Sequence, residues 1–366
     1  MTRKVNGQVG DSAVAASFVA LALFAAATAG EEGAGRWTIE QAQAWGEKQP
    51  WLVGCNYVPS NAVNTTEMWQ AETFDAATID RELALAQDLG FNSIRVFLQY
   101  LVWKHDPEGT LKRLEQFLAI AARRGLTTMP VLFDDCAFAG KQPYLGKQDE
   151  PVPGVHNSCW TPSPGHQRVV DKAAWPDLEK FVLDVIGRFA ADKRVVAWDI
   201  YNEPGNAGMG NKSLPLVRAC FGWARKAKPA QPLTIGVWNG GLKELNEAQL
   251  ALSDVVSFHS YGNLGAVSGM VAGLRKHSRP IICTEWFARG MGSLPKTHLP
   301  FFRQERVGCY NWGLVNGKTQ THLAWSSKKG DPEPKPWHHD LFRRDLTPYD
   351  PQEVEFIRTF LRYSRR

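Results

Sequence analysis

The stretch Trp198-Asp199-Ile200-Tyr201-Asn202-Glu203-Pro204 decides how the chain is read. It continues an apolar run, Val195-Val196-Ala197, of the β-branched and aromatic type that suits a buried strand, and it stops at a proline that cannot donate to a ladder. A strand therefore ends where Asn202 and Glu203 stand. In a parallel α/β barrel the carboxyl ends of the strands form the active face, so an amide followed by a carboxylate there is placed for chemistry. The competing reading is an acid at a helix start before Pro204. A second strand-end carboxylate elsewhere in the chain separates the two.

On either side of this stretch, strand-like and helical runs alternate. Strands are expected over 51–57, 91–97, 126–133, 195–202, 232–238, 255–259, 280–286 and 307–312. Helices are expected over 37–48, 75–90, 109–124, 175–190, 214–228, 267–277 and 353–363. Ile79, Leu83, Ala86 and Leu89 recur at helical spacing in the second of these, and Gly90 closes it. Eight strands, each followed by a helix or by a loop long enough to hold one, predict an α/β fold: a single (β/α)8 TIM barrel with long active-face loops at 137–174 and 313–350. No G-x-G-x-x-G follows the first strand, which counts against a nucleotide-binding sheet.

The second carboxylate is Glu285, at the end of Ile281-Ile282-Cys283-Thr284, the seventh strand by this count, as Glu203 ends the fourth. Two carboxylates on one barrel rim suit glycosidic bond cleavage, where one protonates the leaving oxygen and the other attacks or activates water. Arg95 lies inside the apolar run of the second strand, a costly position unless it meets a carboxylate.

With these residues the chain resembles glycoside hydrolase family 5, within the clan of retaining (β/α)8 hydrolases. The resemblance spans nearly the whole chain after the first thirty residues. It implies Glu203 as acid/base and Glu285 as nucleophile, with Arg95 keeping Glu285 ionised. It also implies that Asn202 binds the hydroxyl next to the reacting carbon and that His259 and Tyr261 line the cleft. The family often carries histidine near the end of the third strand, where this chain has Phe133-Asp134-Asp135. Asp135 is therefore a candidate substrate contact, and three readings of the extra acids stay open: sugar binding, pairing with a base, or raising the pKa of Glu203.

Fourteen tryptophans are the telling feature of composition, because indole faces are platforms for sugar rings as well as core filler. Trp69, Trp160, Trp286, Trp312, Trp325 and Trp337 fall in rim loops or at strand ends. Trp286 and Trp312 are the expected stacking floor, and Trp325 is assigned to the last loop. The remaining composition excludes more than it assigns. Of 366 residues 44% are hydrophobic, and 42 basic against 37 acidic residues give a net charge of +5 without a charged block, so neither nucleic acid nor an anionic membrane is implied as partner. A carbohydrate substrate and a monomer are expected.

Arg3 and Lys4, the apolar run 13–29 and Ala27-Thr28-Ala29 read as a signal peptide over 1–29, with a catalytic domain over 30–366 in a secreted or periplasmic protein and no stable membrane insertion. Six cysteines permit disulfides in that compartment, and Cys136 with Cys159 is the expected pair. No cofactor and no metal are expected. A metal-dependent hydrolase built on Asp134, Asp135 and His259, and a carbohydrate-binding barrel without catalysis, are the readings from other classes.

Overall fold

The computed structural model describes Met1 and residues 35–364, and the signal-peptide expectation lies outside the described residues. Contacts divide the chain into Met1–Arg36 and Trp37–Arg366, and the barrel lies in the second unit.

Nine parallel strands form one sheet: β1 Val53–Tyr57, β2 Ser93–Phe97, β3 Thr127–Asp134, β4 Trp198–Asn202, β5 Leu233–Thr234, β6 Gly236–Val237, β7 Val256–His259, β8 Ile281–Trp286 and β9 Gly308–Trp312. The hydrogen-bonded order is β5-β4-β3-β2-β1-β9-β8-β7-β6. Its two ends, β5 and β6, are halves of one segment interrupted at Ile235. Leu233 and Thr234 pair with β4, whereas Gly236 and Val237 pair with β7. The chain itself thus closes the barrel, and nine strands occupy eight positions, as a (β/α)8 barrel requires. The expected strand 232–238 is one barrel position in two short pieces.

The helices obey ordinary end rules. Asp75 accepts from the backbone N–H groups of Ala77 and Thr78 to start Ala76–Leu89, and Gly90, at φ 90°, ends it. Pro107 opens Pro107–Arg123, with Asp106 accepting from Gly109. Two helices not singled out in the sequence, Lys243–Leu252 and Pro295–Gln304, fill the connections after β6 and β8. Thr38 and Gln41 form a capping box at the start of Ile39–Lys48, whose Trp45 packs under the barrel.

The interior is layered. At the bottom Leu52, Met129, Val196, Ala197, Val255, Ile282 and Tyr310 form an apolar plug. Above it small hydroxyls pair across the lumen: the Tyr310 hydroxyl donates to Ser93 Oγ at 2.8 Å, and Thr234 and Ser257 share a bond of 2.7 Å. The next layer is the Arg95 guanidinium, with no exposed surface, and above it the carboxylates of the mouth. Dry packing below and polar groups above make the upper rim the place where polar side chains reach solvent.

Candidate active site

Arg95 projects from β2 into the lumen, where an unpaired guanidinium would be prohibitively costly. Its five N–H donors all find acceptors. Nη1 donates to Asn56 Oδ1 at 2.7 Å and to Glu285 Oε1 at 2.9 Å. Nη2 donates to Asn202 Oδ1 at 2.8 Å and lies 2.8 Å from Asp199 Oδ2, to which Nε donates at 3.0 Å. Burial works against the charge of Arg95, but Asp199 and Glu285 outweigh it and hold the guanidinium protonated. The sequence called for one carboxylate partner; the fold supplies two, and Asp199 was the one missed. Arg95 does not line the cleft, so its expected place among substrate contacts is corrected to a support beneath them.

Glu285 ends β8 facing Glu203, which follows β4. Its Oε2 accepts the Tyr261 hydroxyl at 2.6 Å while Oε1 is held by Arg95. Glu203 takes a different set of donors: the Cys136 thiol at 3.3 Å, the Asn206 amide at 2.5 Å and, on Oε1, a contact of 2.8 Å with His259 Nδ1. Burial raises the pKa of both carboxyls. Glu285 has a charged donor and a phenol in direct contact to oppose that rise, whereas the donors in contact with Glu203 are neutral. Burial also lowers His259 to about 4, which leaves its imidazole neutral beside Glu203. Glu203 sits at φ 42°, a left-handed conformation uncommon outside glycine, asparagine and aspartate.

The third-strand acids lie outside the cleft lining and bond to protein groups. Asp135 is buried and accepts from the Tyr201 hydroxyl at 2.6 Å, from the Gly205 N–H at 2.7 Å and from the Ser213 hydroxyl at 2.5 Å. It clamps the turn that follows Glu203, which corrects its expected role in sugar binding. Asp134 accepts from the Asn202 amide at 2.9 Å and from Trp160 Nε1 at 2.7 Å, and burial raises it to about 6. Neither acid shares a ligand set with His259. Among the described residues one atom each of Glu203, His259 and Glu285 lies within 4.8 Å of the others, a spacing a cation would also accept. Here those atoms are engaged with one another, with Arg95 and with Tyr261.

A cleft of about 500 Å³ opens over the pair, lined by Asn202, Glu203, His259, Tyr261, Glu285, Trp160, Trp312 and Trp325 among others. Trp312 is thus where the sequence put it. Trp286 is not: its indole is buried, stacked on His298 at 8° between planes and packed on Phe302, because the strand's last side chain points outward to the helix Pro295–Gln304. Trp69 is core, donating to the Phe97 carbonyl at 2.6 Å, and Trp337 stacks on Tyr349. Trp238, Asn206, Asn157 and His156 line the cleft without having been singled out, and Cys136, expected only as half of a disulfide, lines it with His339 of the last loop. Only Trp238, at the end of the expected strand 232–238, carried a readable signal. Cys136 and Cys159 are both free thiols, which overturns the expected disulfide: one faces Glu203, and the other lies 3.5 Å from Lys141 Nζ.

A closed parallel barrel with two opposed glutamates over a buried arginine defines a carbohydrate-active hydrolase of the (β/α)8 class. The family model described as Cellulase (glycosyl hydrolase family 5) matches residues 54–330, and the chain belongs to that family of O-glycosyl hydrolases. A search of curated proteins finds no match. Among solved structures, the chain is similar to an exo-β-1,4-mannosidase from Opitutaceae bacterium strain TAV5, with 19% identity and a TM-score of 0.60 over 86% of this chain and 59% of that one. It therefore spans less than two thirds of that protein. It is also similar to a GH5_18 variant from Streptomyces cattleya in complex with Manb1-4GlcNAc, with 15% identity and a TM-score of 0.58 over 86% and 80% of the two chains. An endo-β-1,4-mannanase from Thermotoga petrophila shows 14% identity and a TM-score of 0.55 over 87% and 78%. At these identities the likeness is one of fold.

Gly236 makes room for His259: a Cβ there would stand 2.9 Å from His259 Nε2 and 3.1 Å from Thr284 Oγ1. Gly236→Ala is expected to displace the imidazole from Glu203 and to lower kcat by about tenfold to a hundredfold, given the sensitivity of reacting geometry to small shifts. A variant structure with the ring unmoved, or an unchanged kcat, contradicts this.

Proposed function

We propose that this chain is a retaining glycoside hydrolase acting on β-linked oligo- or polysaccharide by double displacement. The observation that carries the reading is the closeness of the two carboxylates: an oxygen of Glu203 and an oxygen of Glu285 lie within 4.8 Å. That is closer to the separation of about 5–5.5 Å at which the second carboxylate is a nucleophile than to the roughly 6.5–9.5 Å of an inverting site.

In the first step Glu285 attacks the anomeric carbon while Glu203 gives its proton to the departing glycosidic oxygen. In the second, Glu203 takes a proton from water, which attacks the same carbon and releases Glu285. The environments suit these roles. Arg95 and Tyr261 favour the ionised form of Glu285 against its burial, and burial among neutral donors keeps the Glu203 proton available. Asn202, fixed by Arg95 and Asp134, presents its amide beside the pair. Tyr261 packs on Trp325 at 4.9 Å between ring centroids, so the last loop helps hold the phenol on Glu285.

Within that reading, the two long loops favour exo or short-chain action. They join across the rim: Asn157 N–H donates to the Thr319 carbonyl at 2.8 Å, His156 N–H to Ser327 Oγ at 3.0 Å, and Gln320 Nε2 to the Val152 carbonyl at 2.8 Å. A further contact of 2.7 Å links His156 Nδ1 to the Leu323 carbonyl. The bridge walls one side of the cleft, and about 500 Å³ holds a short oligosaccharide rather than a long chain. The mannosidase and mannanase among similar folds put β-mannosides first in a substrate screen, followed by xylan, glucan and furanosidic side chains. Export through the reading of residues 1–29 as a signal peptide completes the proposal.

Glu285→Ala is expected to reduce hydrolysis of activated aryl glycosides to background and to be rescued by azide. Glu203→Ala should keep glycosylation of substrates with good leaving groups but lose about 10²–10⁴-fold on natural glycosides, the ordinary range of general acid–base catalysis. Anomeric inversion of the product, followed by NMR, would refute the mechanism. Wild type inactive on every common sugar, with Glu285→Ala no different, leaves the binding-barrel alternative.

Arg95→Lys removes the fork that holds Glu285 and weakens the opposition to burial. The Glu285 pKa then rises, so the acid limb of the kcat/KM profile moves to higher pH, and by more than the alkaline limb set by loss of the proton of Glu203, which Arg95 does not contact. An acid limb that stays put contradicts the role given to Arg95.

For the loop wall, the expected products of a screened polysaccharide are single or paired sugars from one chain end, with little early fall in viscosity. A rapid fall in viscosity, with a ladder of long products, would make the cleft an open groove.

A further inference from the structure

Asn157 belongs to none of the elements so far given a role in the reaction. It lines the cleft, yet only 3% of its surface is exposed. Its side-chain Oδ1 is buried and meets no donor among the described residues. Leaving such an atom unpaired costs stability, and an apolar side chain or a glycine would serve the loop without that cost.

The loop does not need the carboxamide. Its backbone is fixed on either side by other atoms: the Asn157 N–H bonds to Thr319, the Asn157 carbonyl accepts from Trp160 N–H at 3.0 Å, and Val152 N–H donates to Ser158 Oγ at 2.9 Å. The residue sits at φ 48°, where glycine is the easiest occupant and asparagine among the best of the rest. A cleft-lining residue held in place by its backbone, with a buried side-chain oxygen left unpaired, has the form of a site that recognises a hydroxyl.

Resting on the glycoside hydrolase reading, we infer that Asn157 is a specificity-determining residue whose carboxamide hydrogen-bonds a hydroxyl of the bound sugar. The inference also gives the loop bridge a purpose beyond enclosure. The same residue that ties loop 137–174 to loop 313–350 by its backbone also lines the cleft, so the wall and the contact are set together. Trp160, three residues on, packs against Trp312 at 6.2 Å between centroids, which puts the amide on the same half of the rim as the cleft tryptophans. Sugar recognition commonly combines an aromatic platform with hydrogen bonds of this kind.

The test uses Asn157→Gly, which suits the positive φ and removes the side chain without backbone strain, and Asn157→Asp, which keeps an acceptor of the same shape. First, wild type is screened on aryl β-glycosides of mannose, glucose, xylose and arabinofuranose and on their two-sugar homologues. The best one-sugar substrate and the best two-sugar substrate are then used for both variants, with melting temperature measured alongside. Expected is a loss in kcat/KM of about tenfold or more for Asn157→Gly on at least one of the two, with the melting temperature equal to or above that of wild type and a smaller loss for Asn157→Asp. Unchanged kcat/KM on both substrates overturns the inference. So does a loss that comes with a falling melting temperature in both variants, since that marks a structural role. Wild type inactive throughout the screen would instead refute the hydrolase reading on which the inference stands.

Discussion

A guanidinium with no exposed surface in the middle of a barrel is the constraint on which the rest depends. Such a group is tolerated only when every donor is satisfied and its charge is countered, and here Asn56, Asp199, Asn202 and Glu285 are the residues that do so. They come from β1, β4 and β8. Arg95, itself on β2, therefore fixes four strands relative to one another, and in doing so it fixes the nucleophile candidate and the amide beside it. The acceptors are immobilised in turn: the Asn56 amide donates to the Thr284 carbonyl at 2.8 Å, and the Asn202 amide donates to Asp134. The result is a preorganised layer that costs no rearrangement when charge develops above it.

The two glutamates differ because of what that layer reaches. It touches Glu285 and stops short of a hydrogen bond to Glu203, which is left with a thiol, an amide and a neutral imidazole. One fold thus gives two neighbouring carboxyls different donors, Glu285 buried and Glu203 partly exposed at the cleft. The acids of the third strand belong to this division. Asp134 orients Asn202, and Asp135 holds the Gly205 N–H just after the strained Glu203, so each supports a residue of the candidate site without lining the cleft. That also answers the departure from the family's third strand: the histidine's place is taken by acids that work through their neighbours.

How much of this was legible in the sequence depends on what periodicity records. Strand ends can be read, because an apolar run that terminates at a polar pair marks both the element and its rim; Glu203, Glu285 and the buried Arg95 were found that way. Direction at a strand's last residue cannot, and Trp286 shows why: one step past Glu285 the side chain turns to the helix layer, where His298 and Phe302 are waiting. Asp135 is a second case of the same kind, adjacent to Asp134 yet bonded to Tyr201 and Ser213 outside the lumen. The partners of Cys136 and Cys159 depend on how a long loop folds, which spacing does not encode. Asp199 was hidden for another reason, since an acid inside an apolar run reads as an interruption until the arginine opposite it is known.

The loops extend the logic of the barrel to its rim with one difference. In the lumen, the donors of Arg95 are all spent on the protein, so they hold geometry and have little left to offer a ligand. At the rim, Asn157 leaves an oxygen unspent and His259 leaves Nε2 without a partner among the described residues, both at the cleft. Buried polar groups are ordinarily paired, and of these two exceptions at the cleft Asn157 is the one for which a bound sugar is proposed as partner. The deep layer holds the candidate carboxylates in place, and the proposed contact at Asn157 lies in the loops above them. These two demands pull a sequence in opposite directions, and a barrel with long loops meets both by assigning them to different layers.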